Sequence, residues 1–454
     1  MPMRNRTLER GFTLTELIAT LALLGLMVLI SVPIMDNVLS DSEEKVNDAT
    51  IDVIEAAAKI AADNGVLHDE PHFNQYKVRT LIESGHLASD DESILDHWVF
   101  ENDKGTYTYY GERKESPESH FTFAPVTNEF VQRYAESTTD PEPLTGLEVT
   151  GYSGPGGEVV IPETVNGQPV TRIAHSAFNV NKITAVYMPE TMRYIDGQAF
   201  NTNELVAVYL PDDLRRLDGG IFRNNNLTEV TLPSKLEVLG PNIFRENKIE
   251  HMDMGHLTLL KHISTYAFRG EPLQSINFPP NLESVGPGAF EEAELTSIVF
   301  PNSVTQIQFN SFRGNNLRSV TIPPNVGEVE AHAFSRNGMR SVRLSPGTHT
   351  YGKNAFHENE LDELIIPEGA KYIGMYAFYE NNIKKLELPE GLLELQGATF
   401  RSNQIGYVRI PSSLQSMGNY EFMSNNFGRV SNYSTAIPRG ASIWSDNPDV
   451  QFVK

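Results

Sequence analysis

A phenylalanine that recurs at a nearly constant interval is the sequence feature that most constrains this fold. Twelve such residues are spaced 22 positions apart, except for one interval of 24 between Phe244 and Phe268. The full series comprises Phe178, Phe200, Phe222, Phe244, Phe268, Phe290, Phe312, Phe334, Phe356, Phe378, Phe400 and Phe422. A fixed period of this length is typical of a solenoid, in which each repeat cannot bury its apolar face alone. We therefore expect the repeats to stack on one continuous core.

Each repeat carries the same internal pattern of apolar residues. After Phe222, Leu227 follows five positions later, and Val230 and Leu232 alternate with polar residues before Pro233. This alternation predicts a short strand whose Val230 and Leu232 face the core, and the proline ends that strand. The rest of each repeat is predicted to be a return segment rich in turns.

An asparagine stands three residues after the phenylalanine in ten of the twelve repeats. A buried asparagine pairs with backbone groups in a turn, and stacked copies then form a ladder. The alternative is an exposed turn residue in the left-handed conformation, and we favour the ladder. Glu271 and Ala293 occupy this position in the two exceptions, next to the 24-residue interval, which predicts an irregularity there.

These repeats resemble the bacterial surface-type (BspA-like) leucine-rich repeats. Units of that family run through Ala-Phe, a three-residue turn, Leu and an Ile-x-Ile-Pro strand, and Ala177-Phe178 and Ala333-Phe334 match the first of these steps. The resemblance implies a β-rich leucine-rich-repeat solenoid over residues 150–433, with a C-terminal cap at 434–454. It implies no single ligand, because repeat solenoids bind many kinds of partner.

The N-terminal segment has the composition of a membrane anchor. Leu17–Ile34 is 18 residues without a charge, and at about 1.5 Å per residue it spans roughly 27 Å. Three arginines precede it, which predicts a cytoplasmic N-terminus. Glu16 lies at the edge of the apolar run, where an unpaired carboxylate is costly, so it is a functional candidate. The alternative is an interfacial glutamate whose carboxylate reaches water.

The residues from Arg10 to Leu17, RGFTLTEL, resemble the class III signal of type IV prepilins and pseudopilins. The resemblance implies a leader at 1–11 and a transmembrane pilin helix at 12–64. It also implies that prepilin peptidase cleaves between Gly11 and Phe12 and that the Phe12 amine is then methylated. In that family, the residue equivalent to Glu16 pairs with the N-terminal amine of a neighbouring pilin subunit.

A small sheet is predicted between the N-terminal helix and the repeats. We expect strands at Trp98–Phe100, Thr106–Tyr110 and Phe121–Phe123. A long helix followed by a small sheet resembles the globular head of pilins, which implies an α+β N-terminal region with its head at 65–137. The polar, proline-rich stretch that follows is interpreted as a linker at 138–149.

The amino-acid composition excludes several kinds of functional site. The chain has no cysteine, which excludes disulfides, thiolate metal sites and cysteine nucleophiles. Its net charge is −23, which works against generic binding to DNA or anionic lipid. His68 and His72 flank two acidic residues, but Pro71 breaks the helix that a metal pair would need. With no phosphate-binding or metalloprotease motif in the sequence, we expect no cofactor, no metal and no enzymatic activity.

The predicted ligand face consists of the outward positions seven and nine residues after each phenylalanine. Its candidate residues are Tyr187, Tyr209, Arg343, Lys385, Tyr407, Arg409 and Arg429. Tyrosine and arginine are common binding hot spots, and the alternative is a solvated sheet face without a ligand.

These patterns together predict a single-pass membrane protein at the cell surface or in a pilus, which is a minor pilin or pseudopilin. Its partners would be prepilin peptidase, the membrane, other pilin subunits and an extracellular protein or glycan. The alternative is a competence or type II secretion pseudopilin that helps to capture DNA or exported protein.

Overall fold

The computed structural model describes residues 75–77, 98–101, 107–111, 116–436 and 451–453. The chain divides into two units, Met1–Arg113 and Lys114–Lys454. The leader at 1–11 and the helix at 12–64, with Gly11, Phe12 and Glu16, lie outside the described residues. Within those residues, no helix combines the length and the apolar character that a membrane crossing requires.

In the first unit, the described residues form a three-stranded antiparallel sheet. Its strands, in spatial order, are Gln75–Lys77, Trp98–Glu101 and Tyr107–Gly111. The register of the central strand shifts between Trp98 and Val99, which marks a bulge. The strands predicted at Trp98–Phe100 and Thr106–Tyr110 are thereby confirmed.

The third strand expected in that sheet belongs instead to the second unit. Phe121–Pro125 runs antiparallel to Leu147–Tyr152 and begins the main sheet of the solenoid. The Phe121 ring is buried in the solenoid core, 6.2 Å from the ring of Phe178. Burial of this ring against the first repeat explains why the segment joins the repeats and not the small sheet.

The opening of the second unit is a cap of mixed structure. A 3-10 helix at Glu118–His120 precedes the Phe121 strand, and an α-helix follows at Asn128–Ser137. Further strands lie at Gly157–Val160, Thr164–Val165 and Gln168–Ile173.

The cap helix is joined to the first repeats through buried ionic groups. Arg172 is almost fully buried, pairs with Glu148 and with Asp196 at 2.6 Å, and lies 3.4 Å from the ring centre of Phe130 on the helix. A buried cation is tolerated because carboxylates and aromatic faces replace its hydration.

The segment expected to be a linker also packs against the repeats. The backbone N–H of Thr139 donates to the Glu237 carboxylate at 2.7 Å, and the Tyr134 hydroxyl donates to Asp140 at 2.6 Å. Leu144 is buried. Residues 138–149 therefore form part of the cap rather than a free connection.

Every repeat contributes to one long sheet, whose successive strands are parallel from Leu147–Tyr152 onward. The eleven strands of this sheet that follow Gln168–Ile173 are two residues each, namely Tyr194–Ile195, Arg216–Leu217, Val238–Leu239, His262–Ile263, Ser284–Val285, Gln306–Ile307, Glu328–Val329, Thr350–Tyr351, Tyr372–Ile373, Glu394–Leu395 and Ser416–Met417. The sequence pattern placed these residues in the return segment. Two residues are too few to show an alternating pattern, so the continuous sheet was not predicted.

The strands predicted before the proline are present in ten of the twelve repeats, where they form a set of short parallel sheets. The strand predicted at Val230–Leu232 is wrong: Val230 and Leu232 are buried as expected, but they and their counterparts after Phe290 form no strand. One of the short sheets contains Ile183–Tyr187 and Ala207–Tyr209 beside Gly157–Val160. Three others pair His251–Asp253 with Ser275–Asn277, Ser319–Thr321 with Ser341–Arg343, and Glu363–Ile365 with Lys385–Glu387. The last contains Tyr407–Ile410, Arg429–Asn432 and Gln451–Val453.

The twelve phenylalanines form the axis of the core. Each is fully buried, and each ring stacks on the next with centroids 4.7 to 5.9 Å apart. Burial of an aromatic side chain contributes roughly 1.5–3 kcal/mol, so this column stabilises every junction between repeats. The predicted continuous core is confirmed.

The asparagine ladder is also confirmed. Asn359 donates from Nδ2 to the carbonyl oxygens of Phe334 and Phe356, both at 3.0 Å, and its Oδ1 accepts the Met339 N–H at 3.0 Å. Its two neighbouring left-handed residues are Asn354 and Glu358, with φ of 56° and 53°. The buried asparagine side chain therefore donates to and accepts from the backbone of the turn. The left-handed conformation, which was the alternative, is adopted by other residues.

Candidate functional site

The outward face of the short sheets is exposed over the middle and C-terminal repeats. In the strand Lys385–Glu387, Leu386 is buried and the two flanking residues are exposed, as the alternation predicts. The same pattern holds in Ser319–Thr321 and Glu363–Ile365. These strands therefore present two parallel columns of outward side chains, which we call the strand face.

The N-terminal end of the strand face differs from the expectation. Tyr187 is only 7% exposed, and Tyr209 is half-buried. The two rings stack with centroids 6.5 Å apart, on strands that pair directly with each other. Because its ring is packed inside the protein, Tyr187 does not offer the exposed surface expected of it.

The C-terminal end of the strand face brings four side chains together. Tyr407 and Arg429 are direct partners in adjacent parallel strands, and Arg409 lies two residues along from Tyr407. Tyr433 follows immediately after the last of these strands. We call Tyr407, Arg409, Arg429 and Tyr433 the C-terminal patch.

The aromatic members of this patch are accessible. Tyr407 is 47% exposed and Tyr433 is 45% exposed. The Tyr407 hydroxyl lies 3.2 Å from Ser431 Oγ, which fixes the orientation of the ring. Tyr433 was absent from the sequence-based candidates because it lies beyond the strand, where the alternation gives no signal.

The two arginines of the patch have different surroundings. The Arg409 guanidinium lies 4.8 Å from the ring centre of Tyr433, and its Nη1 is 2.6 Å from Glu390 Oε1. A hydrogen bond from Ser412, followed by the charge of Arg409, holds the pKa of Glu390 below its usual value. Arg429 is exposed and forms no ion pair with any residue in the described part of the chain. The patch therefore offers one oriented guanidinium and one that has no ion-pair partner among the described residues.

The remaining sequence-based candidates extend along the strand face. Lys385 is one repeat before Tyr407, and its ammonium lies 2.5 Å from Glu363 and 3.1 Å from Glu387. The hydrogen bond to Glu363 is the main reason that the pKa of Lys385 is raised. Arg343 is exposed but lies three repeats before Arg409. Tyr187 and Tyr209 are at the opposite end of the solenoid, so the structure does not bring all seven candidates together.

The chain is similar to several solved structures. They include a leucine-rich repeat protein from Bacteroides ovatus, with 19% identity and a TM-score of 0.44, covering 74% of this chain and 98% of that one. A leucine-rich cell surface protein from Faecalibacterium prausnitzii has 18% identity and a TM-score of 0.37, covering 75% and 94%. The pneumococcal vaccine antigen PcpA has 15% identity and a TM-score of 0.37, covering 71% and 82%. A search of the curated proteins found no significant match.

The family model for the BspA-type leucine-rich repeat region matches the chain at residues 158–259, 256–361 and 349–438. These matches together span more than half of the 454 residues. The chain therefore belongs to the BspA-type leucine-rich repeat family.

Proposed function

We propose that this protein is a surface-displayed binding protein that attaches to an extracellular protein or glycan through the C-terminal patch. The observation that carries the proposal is the grouping of two exposed tyrosines and two arginines on two adjacent parallel strands and the residue that follows them. Tyrosine supplies a large contact area with few rotatable bonds, arginine supplies a planar charged group, and both dominate the energetics of many interfaces.

The chemistry of the patch favours a ligand with acidic groups. Arg429 has no internal carboxylate partner among the described residues, so a carboxylate or sulfate of the ligand can pair with it without displacing one. Arginine binds such groups through two parallel hydrogen bonds. The net charge of −23 confines attraction of an acidic ligand to this local surface.

We further propose that the N-terminal segment displays the repeats outside the cell. Support comes from the resemblance of residues 10–17 to the prepilin signal and from the uncharged run Leu17–Ile34. In this proposal, prepilin peptidase removes residues 1–11, and Phe12 and Glu16 join the protein to other pilin subunits. The solenoid is then carried at the surface as a binding module and not as an enzyme.

The patch is tested with the full chain, purified in detergent and applied to an array of sulfated, sialylated and neutral glycans and a panel of extracellular matrix proteins. Replacing Tyr407, Arg409 and Arg429 by Ala should reduce the affinity for each probe that the parent protein binds by at least tenfold. The matched control replaces Ser275, Ser297 and Ser319, which are exposed on the middle of the same face, by Ala.

The control should bind like the parent protein, and both variants should keep the parent thermal unfolding temperature. Equal binding by the parent and the patch variant would refute the assignment of the site. A DNA duplex is included as a probe. Binding of that duplex alone, with loss in the patch variant, would favour DNA capture over adhesion.

A further inference from the structure

A histidine and two glutamates converge on one edge of the solenoid, away from the strand face. His357 and Glu358 follow Phe356 directly, and Glu380 stands two residues after Phe378. Glu358 and Glu380 occupy the same left-handed position in consecutive repeats, with φ of 53° and 54°. The repeat geometry therefore stacks the two carboxylates one above the other.

The three side chains are close enough to share one ion. His357 Nε2 lies 3.3 Å from Glu358 Oε1 and 3.9 Å from Glu380 Oε2, and one ligand atom from each residue lies within 4.8 Å of the others. A tetrahedral metal with bonds of about 2.0–2.1 Å holds its ligand atoms about 3.3 Å apart. Glu380 is half-exposed, and its Oε2 lies 3.9 Å from the histidine nitrogen, slightly beyond that spacing.

Neighbouring groups hold the histidine and one carboxylate in place. The His357 ring stacks on the Tyr379 ring, with centroids 5.1 Å apart and planes within 8°. Arg336 Nε lies 3.0 Å from Glu358 Oε2, which leaves Oε1 directed at the histidine. Such outer contacts orient metal ligands in known sites.

The imidazole nitrogen that faces the two carboxylates forms no hydrogen bond with either of them. The His357 side chain is 16% exposed, and its Nε2 atom is buried and accepts or donates no hydrogen bond. A buried polar atom without a partner is uncommon in folded proteins and calls for an explanation. A bound cation would satisfy it, because the nitrogen lone pair would become a metal ligand.

We propose that His357, Glu358 and Glu380 form a site for a divalent transition metal, with Zn²⁺ as its principal occupant. Imidazole nitrogen favours zinc over magnesium or calcium, which prefer oxygen ligands alone. Three protein ligands leave one position open for water or for a group of a binding partner. Because the ligands come from two consecutive repeats, the ion cross-links them.

The proposal is tested by titrating Zn²⁺ into the metal-free full chain by calorimetry, with Co²⁺ absorption as a second measure. We expect His357→Gln to lose one binding site relative to the parent protein, together with the visible band of tetrahedral Co²⁺. Glu380→Gln changes a half-exposed side chain without altering its shape, and it should weaken Zn²⁺ binding at least tenfold.

Two controls separate this site from other histidines. His349→Gln alters an exposed histidine nearby and should leave the titration unchanged. The double change His68→Gln and His72→Gln removes any contribution of the N-terminal pair and should preserve the site assigned here. The proposal would be overturned if both His357→Gln and Glu380→Gln kept the parent number of Zn²⁺ sites and the parent affinity. If His357→Gln misfolds, the Glu380→Gln result alone decides, and unchanged Zn²⁺ affinity in that variant would overturn the proposal.

Discussion

Replacing Glu271 by Gln should remove a pH dependence of stability that is built into the asparagine ladder. Glu271 is fully buried and occupies an asparagine position of the ladder. Its Oε1 accepts the N–H of Asn247 at 2.7 Å, and its Oε2 accepts the N–H of Ile249 at 3.1 Å. Burial raises the pKa of this carboxyl to about 7, against the lowering effect of these hydrogen bonds.

The direction of the effect follows from the two pKa values. In the unfolded chain the carboxyl titrates near its usual value of 4.5, and in the folded protein it titrates near 7. Between these pH values the folded state retains a proton that the unfolded state has released. The associated stability is complete below pH 4.5 and is lost as pH rises through 7. At 1.36 kcal/mol per pH unit, the loss is about 3 kcal/mol.

The assay is urea unfolding followed by circular dichroism at several pH values from 4.5 to 8.5. We expect the parent protein to lose about 3 kcal/mol more stability than Glu271→Gln across this range. The absolute stability of the variant is lower, because its amide nitrogen cannot accept a backbone N–H. The comparison therefore uses the slope with pH. Glu294→Gln is the matched exposed control and should keep the parent slope.

Glu421 is a second buried carboxyl whose burial raises its pKa to about 7, so its contribution must be separated. It accepts the N–H groups of Thr399 and Gly418 at 2.9 and 3.0 Å. Because Glu421 is present in both the parent and Glu271→Gln, its effect cancels from the difference between their slopes. Equal slopes in these two proteins would refute the assignment of a shifted carboxyl at Glu271.

Three further predictions address the ladder, the cap and the N-terminus. Asn359→Ala removes three buried hydrogen bonds and should cost about 3 kcal/mol in urea unfolding, whereas the exposed Asn382→Ala should cost under about 0.5 kcal/mol. A cost near zero for Asn359→Ala would contradict the ladder. A fragment of residues 114–454 should unfold cooperatively at a higher temperature than a fragment of residues 146–454, because the shorter fragment lacks the cap helix that covers the Arg172 guanidinium. Equal unfolding temperatures would contradict a stabilising role of the cap. Mass spectrometry of the mature protein should find Phe12 as its first residue, and a chain that begins at Met1 would exclude the processing.

The regular spacing of large apolar residues made the solenoid predictable. Phe222, Leu227, Val230 and Leu232 have apolar counterparts in nearly every unit, so the core and most of the strands before the proline follow from the sequence. The buried asparagine was predictable for the same reason, since a polar residue at a fixed place in a core pattern must satisfy backbone groups.

The cap and the long sheet could not be predicted in the same way. Phe121 and Arg172 find their partners at long range, and a local pattern does not reveal which element a buried ring will join. From Tyr194 onward the strands of the long sheet are two residues each, and a strand such as Gln306–Ile307 carries a single inward side chain. Such a short strand is stable only because it is hydrogen-bonded to parallel strands on either side, and these neighbours are known only from the three-dimensional structure.

The two candidate sites differ in how much of each could be predicted from the sequence. Tyr407, Arg409 and Arg429 were identified because strand alternation places them outward. The histidine cluster was missed, because His357 and Glu380 are 23 residues apart and no zinc-binding spacing joins them. Their proximity becomes apparent only when the 22-residue period is applied to charged positions as well as to apolar ones.

Inward and outward positions of the strand face carry different information about this protein. Val408 and Val430 face the core, and equivalent apolar residues occur in the other repeats, so they explain family membership and the fold. Tyr407 and Arg429 stand beside them but face outward, where the repeat imposes no residue type. In the proposed function, ligand specificity is therefore determined by positions that the family pattern leaves free. A test of function must change these outward residues and keep their inward neighbours, since only then does a loss of binding report on recognition and not on folding.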